Sequence, residues 1–169
     1  MAELVDRFRG QVFGLCYRML GHRQDAEDMT QEAFVRALRS LGNWDSRREF
    51  MPWLLAIAGN RCRSLQATRQ RRPKLTDGIE NLPDVAPERQ EARNLAEEVE
   101  LALARLRLEY RQAFVLFHEQ QLSYAEIAET LDCPVGTVKT WVRRARRELA
   151  DELRRRGVVQ EYPDALRRV

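Results

Sequence analysis

The residues best suited to chemistry lie near the C-terminus. In "DCPVGTVKTWVRRARREL", Asp132 to Leu149, the side chains of Lys139, Thr140, Arg143, Arg144 and Arg147 recur at steps of one, three or four. On a helix, such steps gather side chains on one side. Guanidinium and ammonium groups placed there can bond phosphate oxygens or the acceptor edge of guanine, and a threonine hydroxyl can meet a base or a phosphate. The chemistry is recognition of a polyanion. The plain alternative is a solvated helix face with ordinary charges. Enzyme chemistry has less support. His22 and His118 stand among scattered acids, with no H-E-x-x-H spacing and no nucleophile beside a base. Cys16, Cys62 and Cys133 are far apart and odd in number, which favours reduced, packed thiols over a disulfide framework or a zinc site. Neither a metal nor a cofactor is expected.

The elements around the basic face explain how it is held. Val138, Val142, Ala145 and Leu149 repeat at steps of four, three and four, giving the same helix an inner stripe. Pro134 opens that helix, where its fixed φ fits and its missing N–H costs nothing. Upstream, Ser123 and Glu126 have capping-box spacing, and the helix they start is expected to bury Ala125, Ile127, Ala128 and Leu131. Asp132 stands at the turn, where a left-handed backbone is tolerated. A short helix, a tight turn and a second helix with a basic N-terminal half form a helix-turn-helix, whose second helix enters the major groove. Trp141 has two readings, packing at the edge of the stripe, which is favoured, or lying against DNA.

The rest of the chain also reads as helix. Leu4, Phe8, Val12, Leu15 and Met19 keep helical spacing and stop at Gly21; a second helix is expected over 25–40, with Met29, Ala33, Ala37 and Leu41 inward. After a loop at 42–51, Pro52 begins a third helix carrying Trp53, Leu54, Ile57, Ala58, Cys62 and Leu65. Leu95, Val99, Leu103, Leu106, Tyr110, Phe114 and Phe117 hold one phase, which periodicity alone reads as one long helix. Residues 73–94, with Pro73, Gly78, Pro83 and Pro87, have the composition of a flexible linker. The expected fold is all-α: two small helical domains, 1–72 and 95–156, joined by the linker 73–94 and followed by a tail, 157–169. With 169 residues and 44% hydrophobic composition, each domain would have a thin core.

Charge is unevenly distributed beneath a net +3. Arg61 to Arg72 holds five arginines and no acid, and Lys139 to Arg156 holds eight bases against three acids, with an acidic stretch between them. Two basic patches suggest a polyanion touched at two places. No run of about 20 apolar residues is present, so no membrane contact is expected. The N-terminus lacks a basic-then-apolar signal and a cytoplasmic location is expected.

Two longer stretches carry a family resemblance. "LSYAEIAETLDCPVGTVKTWVRRARREL" resembles region 4 of bacterial RNA polymerase sigma factors, especially the extracytoplasmic-function (ECF) group. "DAEDMTQEAFVRAL" with "FMPWLLAIAGNRCR" resembles region 2 of the same group. The resemblance implies a dissociable subunit that directs core RNA polymerase to promoter DNA. Region 4 would read the −35 element as duplex with Lys139, Thr140, Arg143, Arg144 and Arg147. Region 2 would recognise the −10 element: Asp45, Ser46, Arg47, Arg48 and Glu49 would capture an unstacked base, and Asn60, Arg61 and Arg63 would contact the same element. A basic track of Arg61, Arg63, Arg69, Arg71 and Arg72 suits a single strand. Asp25, Glu27, Asp28, Gln31 and Glu32 would dock on the clamp coiled coil of the polymerase's largest subunit, through charge complementarity, and region 4 would meet the polymerase flap. For Asp25 and Glu27 a local account competes, since acids in a first helical turn favour the helix dipole. An anti-sigma protein is a further implied partner.

The sequence departs from that family in several places. The chain starts late in an N-terminal helix that such proteins usually have. Pro52 replaces a common Thr or Ser, Ala56 a frequent Arg, and Trp141 a common Arg; Arg107 stands where a Pro often separates two region 4 helices. A break near Arg107 therefore rests on the resemblance alone. The nearest rival function is a stand-alone helix-turn-helix regulator, which would leave the acidic helix and the segment 45–60 without a role. A helical interaction adaptor would show no salt-sensitive DNA affinity.

Overall fold

The computed structural model describes residues 2–70 and 87–159; the expectations for Arg71, Arg72, the linker up to residue 86 and most of the tail lie outside the described residues. Seven helices make up the described chain: α1 Ala2–Leu20, α2 Arg23–Ser40, α3 Phe50–Gln70, α4 Pro87–Arg105, α5 Leu108–His118, α6 Tyr124–Leu131 and α7 Val135–Arg155. The architecture is all-α, with α1–α3 forming an N-terminal lobe and α4–α7 a C-terminal one.

In the N-terminal lobe Val12, Leu15, Cys16 and Met19 of α1 meet Ala26, Ala33 and Ala37 of α2 and Leu54, Leu55, Ala58 and Cys62 of α3, all buried. The alanine row on α2 lets the helices approach closely. Gly21, at φ +70°, ends α1 in the left-handed region where glycine has no steric cost. Three expectations are corrected here. Leu41 lies in a short 3-10 turn, Leu41–Asn43, and is exposed, because the helical phase ends one residue earlier. Pro52 is the third residue of α3, still within the first turn, where no N–H is needed. The last part of the expected linker is helical, since α4 begins at Pro87, a residue suited to a helix start, and no Gly or Pro follows before Arg105.

The long helix read from periodicity is two. The chain breaks between α4 and α5 at Arg107, whose φ −56° and ψ 144° are those a proline would adopt. The phase survives because Leu103, Leu106 and Tyr110 all enter one small core with Ala102, Ala145 and Leu149. At α6 both halves of the capping box form: Glu126 N–H donates to Ser123 Oγ (3.2 Å), and Ser123 N–H donates to Glu126 Oε2 (2.7 Å). Asp132 is left-handed at φ 50°, ψ 54°. Pro134 is the N-cap of α7 and not its first residue. Ala125 is exposed, contrary to expectation, because the buried side of α6 runs through Ile127, Ala128, Thr130 and Leu131.

The largest correction concerns the cores. Instead of one thin core per lobe, the larger cluster runs from α1–α3 into α5, α6 and α7, joining Leu54 and Leu55 to Leu116, Ile127, Val138 and Val142, with the small core of α4, α5 and α7 beside it. Short lobes bury more surface by sharing a core than by closing separately.

Candidate nucleic-acid interface

Helix α7 has the two faces its sequence implies. Val138, Val142 and Ala145 are fully buried, and Trp141 packs against both clusters. On the opposite side Arg143 and Arg147 are exposed and, among the described residues, have no acidic partner. Thr140 Oγ1 donates its proton to the Gly136 carbonyl (2.9 Å). In that rotamer the hydroxyl keeps only acceptor capacity, which suits an adenine or cytosine amino group and not a phosphate.

Lys139 and Arg144 lie about 140° apart around the helix, on opposite flanks of this face. Each is steadied by a tyrosine. Lys139 Nζ sits 5.9 Å from the Tyr124 ring centroid, and Tyr124 stacks on Phe117 at 4.7 Å. Arg144 Nη1 donates to the Tyr110 hydroxyl (2.9 Å), and the Arg107 guanidinium lies 5.9 Å from the same ring. Hydrogen bonds from Arg144 and then Arg107 hold the Tyr110 phenol below its ordinary value. A helix lying in a groove faces one strand on each flank, so cations tethered on the two flanks have the placement that two phosphate backbones would require. Sequence reasoning missed both tyrosines and the cationic use of Arg107. Tyr124 directly follows the cap residue, and Tyr110 was read only as a stripe residue.

The N-terminal lobe presents a different surface. Trp44, Phe50 and Trp53 form an aromatic group with centroids 5.4–6.4 Å apart, extended by Phe8 at 5.4 Å from Phe50. Beside it Asp45 closes a tight turn: its Oδ1 accepts from Arg47 N–H and Arg47 Nε, both at 3.0 Å, and its carbonyl from Arg48 N–H at 2.9 Å. The Arg47 hydrogen bonds hold the Asp45 carboxyl below the usual carboxylate range. Ser46, Arg47, Arg48 and Glu49 are exposed, so the whole segment 45–49 is brought together on one turn.

The expected basic track is largely occupied. Arg61 Nη2 pairs with Glu32 (2.9 Å), which also accepts from Arg36 Nε (3.0 Å); Arg69 grips both carboxylate oxygens of Asp25 at 2.6 and 2.7 Å; Arg63 donates to Asn60 Oδ1. Glu32 is partly buried, which pushes its carboxyl up, yet hydrogen bonds from Arg36 and Arg61 leave it below the usual range. The acidic docking set is correspondingly split. Asp25 and Glu32 are tied to α3, Glu27 bonds Arg23 (3.0 Å) and Asp28 bonds Gln24 (3.4 Å), while Asp28 and Gln31 stay exposed. The sequence lists the acids and bases as separate blocks; packing α2 beside α3 makes them each other's partners. Between these helices lies a cavity of about 550 Å³ lined by Val35, Arg36, Arg39, Ile57, Asn60 and Arg61.

Cys16 and Cys62 are buried and Cys133 half-buried, all free. Among the described residues no group of three or more His, Cys, Asp or Glu side chains could hold a metal ion.

Comparison with known proteins agrees with this layout. The family model for Sigma-70 region 2 matches residues 4–72, and that for Sigma-70 region 4 matches residues 96–149. The ECF RNA polymerase sigma factor SigW of Bacillus subtilis (strain 168) is 34% identical over 90% of this chain and 88% of its own. The RNA polymerase sigma-H factor of Pseudomonas aeruginosa is 36% identical over 85% and 80%. Among solved structures, the sigma factor RpoE of Bartonella quintana, in complex with the anti-sigma factor NepR, superposes with a TM-score of 0.73 over 90% of this chain and 96% of that one, at 21% identity. A helix-turn-helix lobe behind an α1–α3 lobe, matched in order and over nearly the whole length by such relatives, has one reading: the chain belongs to the ECF group of bacterial RNA polymerase sigma factors.

Proposed function

We propose that this sigma factor reads a promoter with two surfaces of opposite readiness. The C-terminal lobe, 95–156, takes the −35 duplex: Arg143, Arg147 and Thr140 face base edges, while Lys139 and Arg144 hold the flanking phosphates. The N-terminal lobe, 1–72, takes the −10 element: the turn 45–49 and the aromatic group beside it receive an unstacked base, with Asn60, Arg61 and Arg63 along the strand. The exposed residues of α2, chiefly Asp28 and Gln31, dock on the clamp coiled coil of core polymerase, and the C-terminal lobe meets the flap. The protein has no catalysis of its own. It works in the cytoplasm, in keeping with the lack, among the described residues, of any helix long and apolar enough to cross a membrane. An anti-sigma protein is its proposed inhibitor; the Bartonella fold neighbour is bound to one.

The observation that carries this reading is the basic outward face of α7, with two arginines that have no acidic partner among the described residues, opposite a buried stripe. The test is run-off transcription with bacterial core polymerase and a promoter library. Initiation from a discrete promoter class, lost when Arg143 and Arg147 are replaced together, is the expected result. A folded protein that supports no initiation with active core overturns it.

A further inference from the structure

The two flanks of α7 are built differently. On one, Lys139 Nζ sits over the Tyr124 ring. On the other, two guanidinium groups meet one phenol. Arg144 Nη1 donates to the Tyr110 hydroxyl at 2.9 Å, and Arg107 Cζ lies 5.9 Å from the centroid of the same ring. Tyr110 is itself fixed, because its ring is buried in the small core with Leu103, Leu106 and Leu149. Arg107 and Arg144 are both exposed, and among the described residues neither has an acidic partner.

The second cation of this flank comes from outside the helix-turn-helix. In the N-terminal half of α7 the flank holds Trp141 and, one turn later, Arg144. Trp141 brings no charge, and its indole packs against the cluster that contains Tyr110. Arg107 is the N-cap of α5, at the break after α4. A proline would serve that backbone as well, since the N–H there is not needed by the helix. Arginine keeps the break and adds a charge. Two like charges drawn to one neutral oxygen repel each other, a cost that solvent lowers without removing. An anion between them reverses the sign, and the forked N–H groups of guanidinium match phosphate oxygens in particular.

We propose that Arg107 is a promoter contact: with Arg144 it forms a two-guanidinium clamp, spaced by Tyr110, on one backbone phosphate of the −35 duplex. The clamp rests on the reading of α7 as the duplex-facing helix. It positions the helix and reads no base, since a phosphate carries no sequence. One strand is then met by a single lysine and the other by the clamp, which fixes how α7 is oriented in the groove.

The test uses the full chain assembled with bacterial core polymerase on a promoter from the run-off library. Each −35 phosphate is replaced in turn by a neutral methylphosphonate, and equilibrium binding is measured at several salt concentrations. Arg107→Gln and Arg107→Pro remove the charge and Arg107→Lys keeps it; circular dichroism checks the helical content of each. Neutralising one particular phosphate is expected to weaken the parent and Arg107→Lys, and to matter less in Arg107→Gln, Arg107→Pro and Arg144→Ala alike. On natural DNA both neutral variants should bind more weakly at every −35 sequence. Their salt slope should be shallower by about 0.9, so the parent's advantage shrinks about 3.5-fold between about 50 and about 200 mM salt. Folded neutral variants that keep the parent's slope and its sensitivity at every phosphate overturn the clamp. So does a phosphate that Arg107→Gln no longer feels and Arg144→Ala still does. If Arg143→Ala and Arg147→Ala weaken binding while the Arg107 variants do not, the clamp alone fails; if none of them weakens it, the reading of α7 fails too.

Discussion

The two lobes hold their charges in opposite ways. On α7 the central arginines, Arg143 and Arg147, have no acidic partner among the described residues, and the flank cations are tethered to neutral tyrosines. In the N-terminal lobe Arg61 holds Glu32, Arg69 holds Asp25, Arg63 holds Asn60 and Arg47 holds Asp45. In the proposed reading the first arrangement is preorganised for a duplex, whose shape and charge are fixed before binding. The second is quenched until something separates the pairs. That difference fits the order of events: paired DNA is available at once, whereas a single strand appears only after polymerase has engaged the promoter.

The largest effect should come from the core that joins the lobes. Ile127 is fully buried in the cluster shared by α1–α3 and α5–α7. Ile127→Ala should cost about 2–5 kcal/mol, as truncations at such sites do. Denaturant unfolding followed in both lobes should show one coincident transition moving to lower denaturant. Two separated transitions would mean that the lobes are as independent as their sequence suggested.

Next in size is the contrast between free and paired cations. Arg143→Ala or Arg147→Ala should weaken −35 duplex binding by about 5- to 150-fold, the range for losing a base contact. Arg61→Ala should leave it unchanged. Lys139→Ala and Arg144→Ala should each lower the salt dependence of binding by about one unit of slope with little change in sequence preference. Titrations at several salt concentrations separate these outcomes.

A smaller effect sharpens the quenching idea. Glu32→Gln removes the carboxylate shared by Arg36 and Arg61. Surface pairs of this kind, partly exposed, contribute about 0.2–1 kcal/mol, so binding of a −10 single strand should tighten by about 1.4- to 5-fold. A weakened complex would show that Glu32 itself is needed on the strand.

The smallest is a pH effect confined to the C-terminal lobe. Burial, and then the Arg146 guanidinium, hold the His118 imidazole below its ordinary value; its Nε2 accepts from Arg146 Nε at 3.0 Å, which needs the neutral ring. With the folded value below the unfolded one, this contribution is complete above about pH 6.5 and declines as pH falls below it. Thermal unfolding should therefore show a modest drop between about pH 7 and about pH 5.5 that His118→Gln reduces.

Much of the fold was legible because its signals are local. The Ser123–Glu126 capping box, the left-handed Asp132 and the stripe on α7 each depend on residues within a few positions of one another. Beyond small shifts of helix boundaries, the failures are cases of long-range packing. Periodicity carried Leu103 to Phe114 across a real break, since two helices sharing a core keep a common phase. Arg61 and Arg69 read as part of a free basic track because their partners stand 29 and 44 positions earlier. Gly59 of α3 and the buried Gln112 of α5, which lie against each other, carried no signal at all: a glycine inside a helix and a lone glutamine acquire meaning only when the lobes touch.

The central claim is that separate lobes meet separate DNA elements, one as duplex and one as single strand. A photo-crosslinking residue placed at position 143 or at position 46, with the full chain assembled on core polymerase and an open promoter, tests it directly. Position 143 should attach to the −35 duplex and position 46 to the non-template strand at −10. Attachment of both to one segment, or none from position 143 in an active complex, would contradict the account.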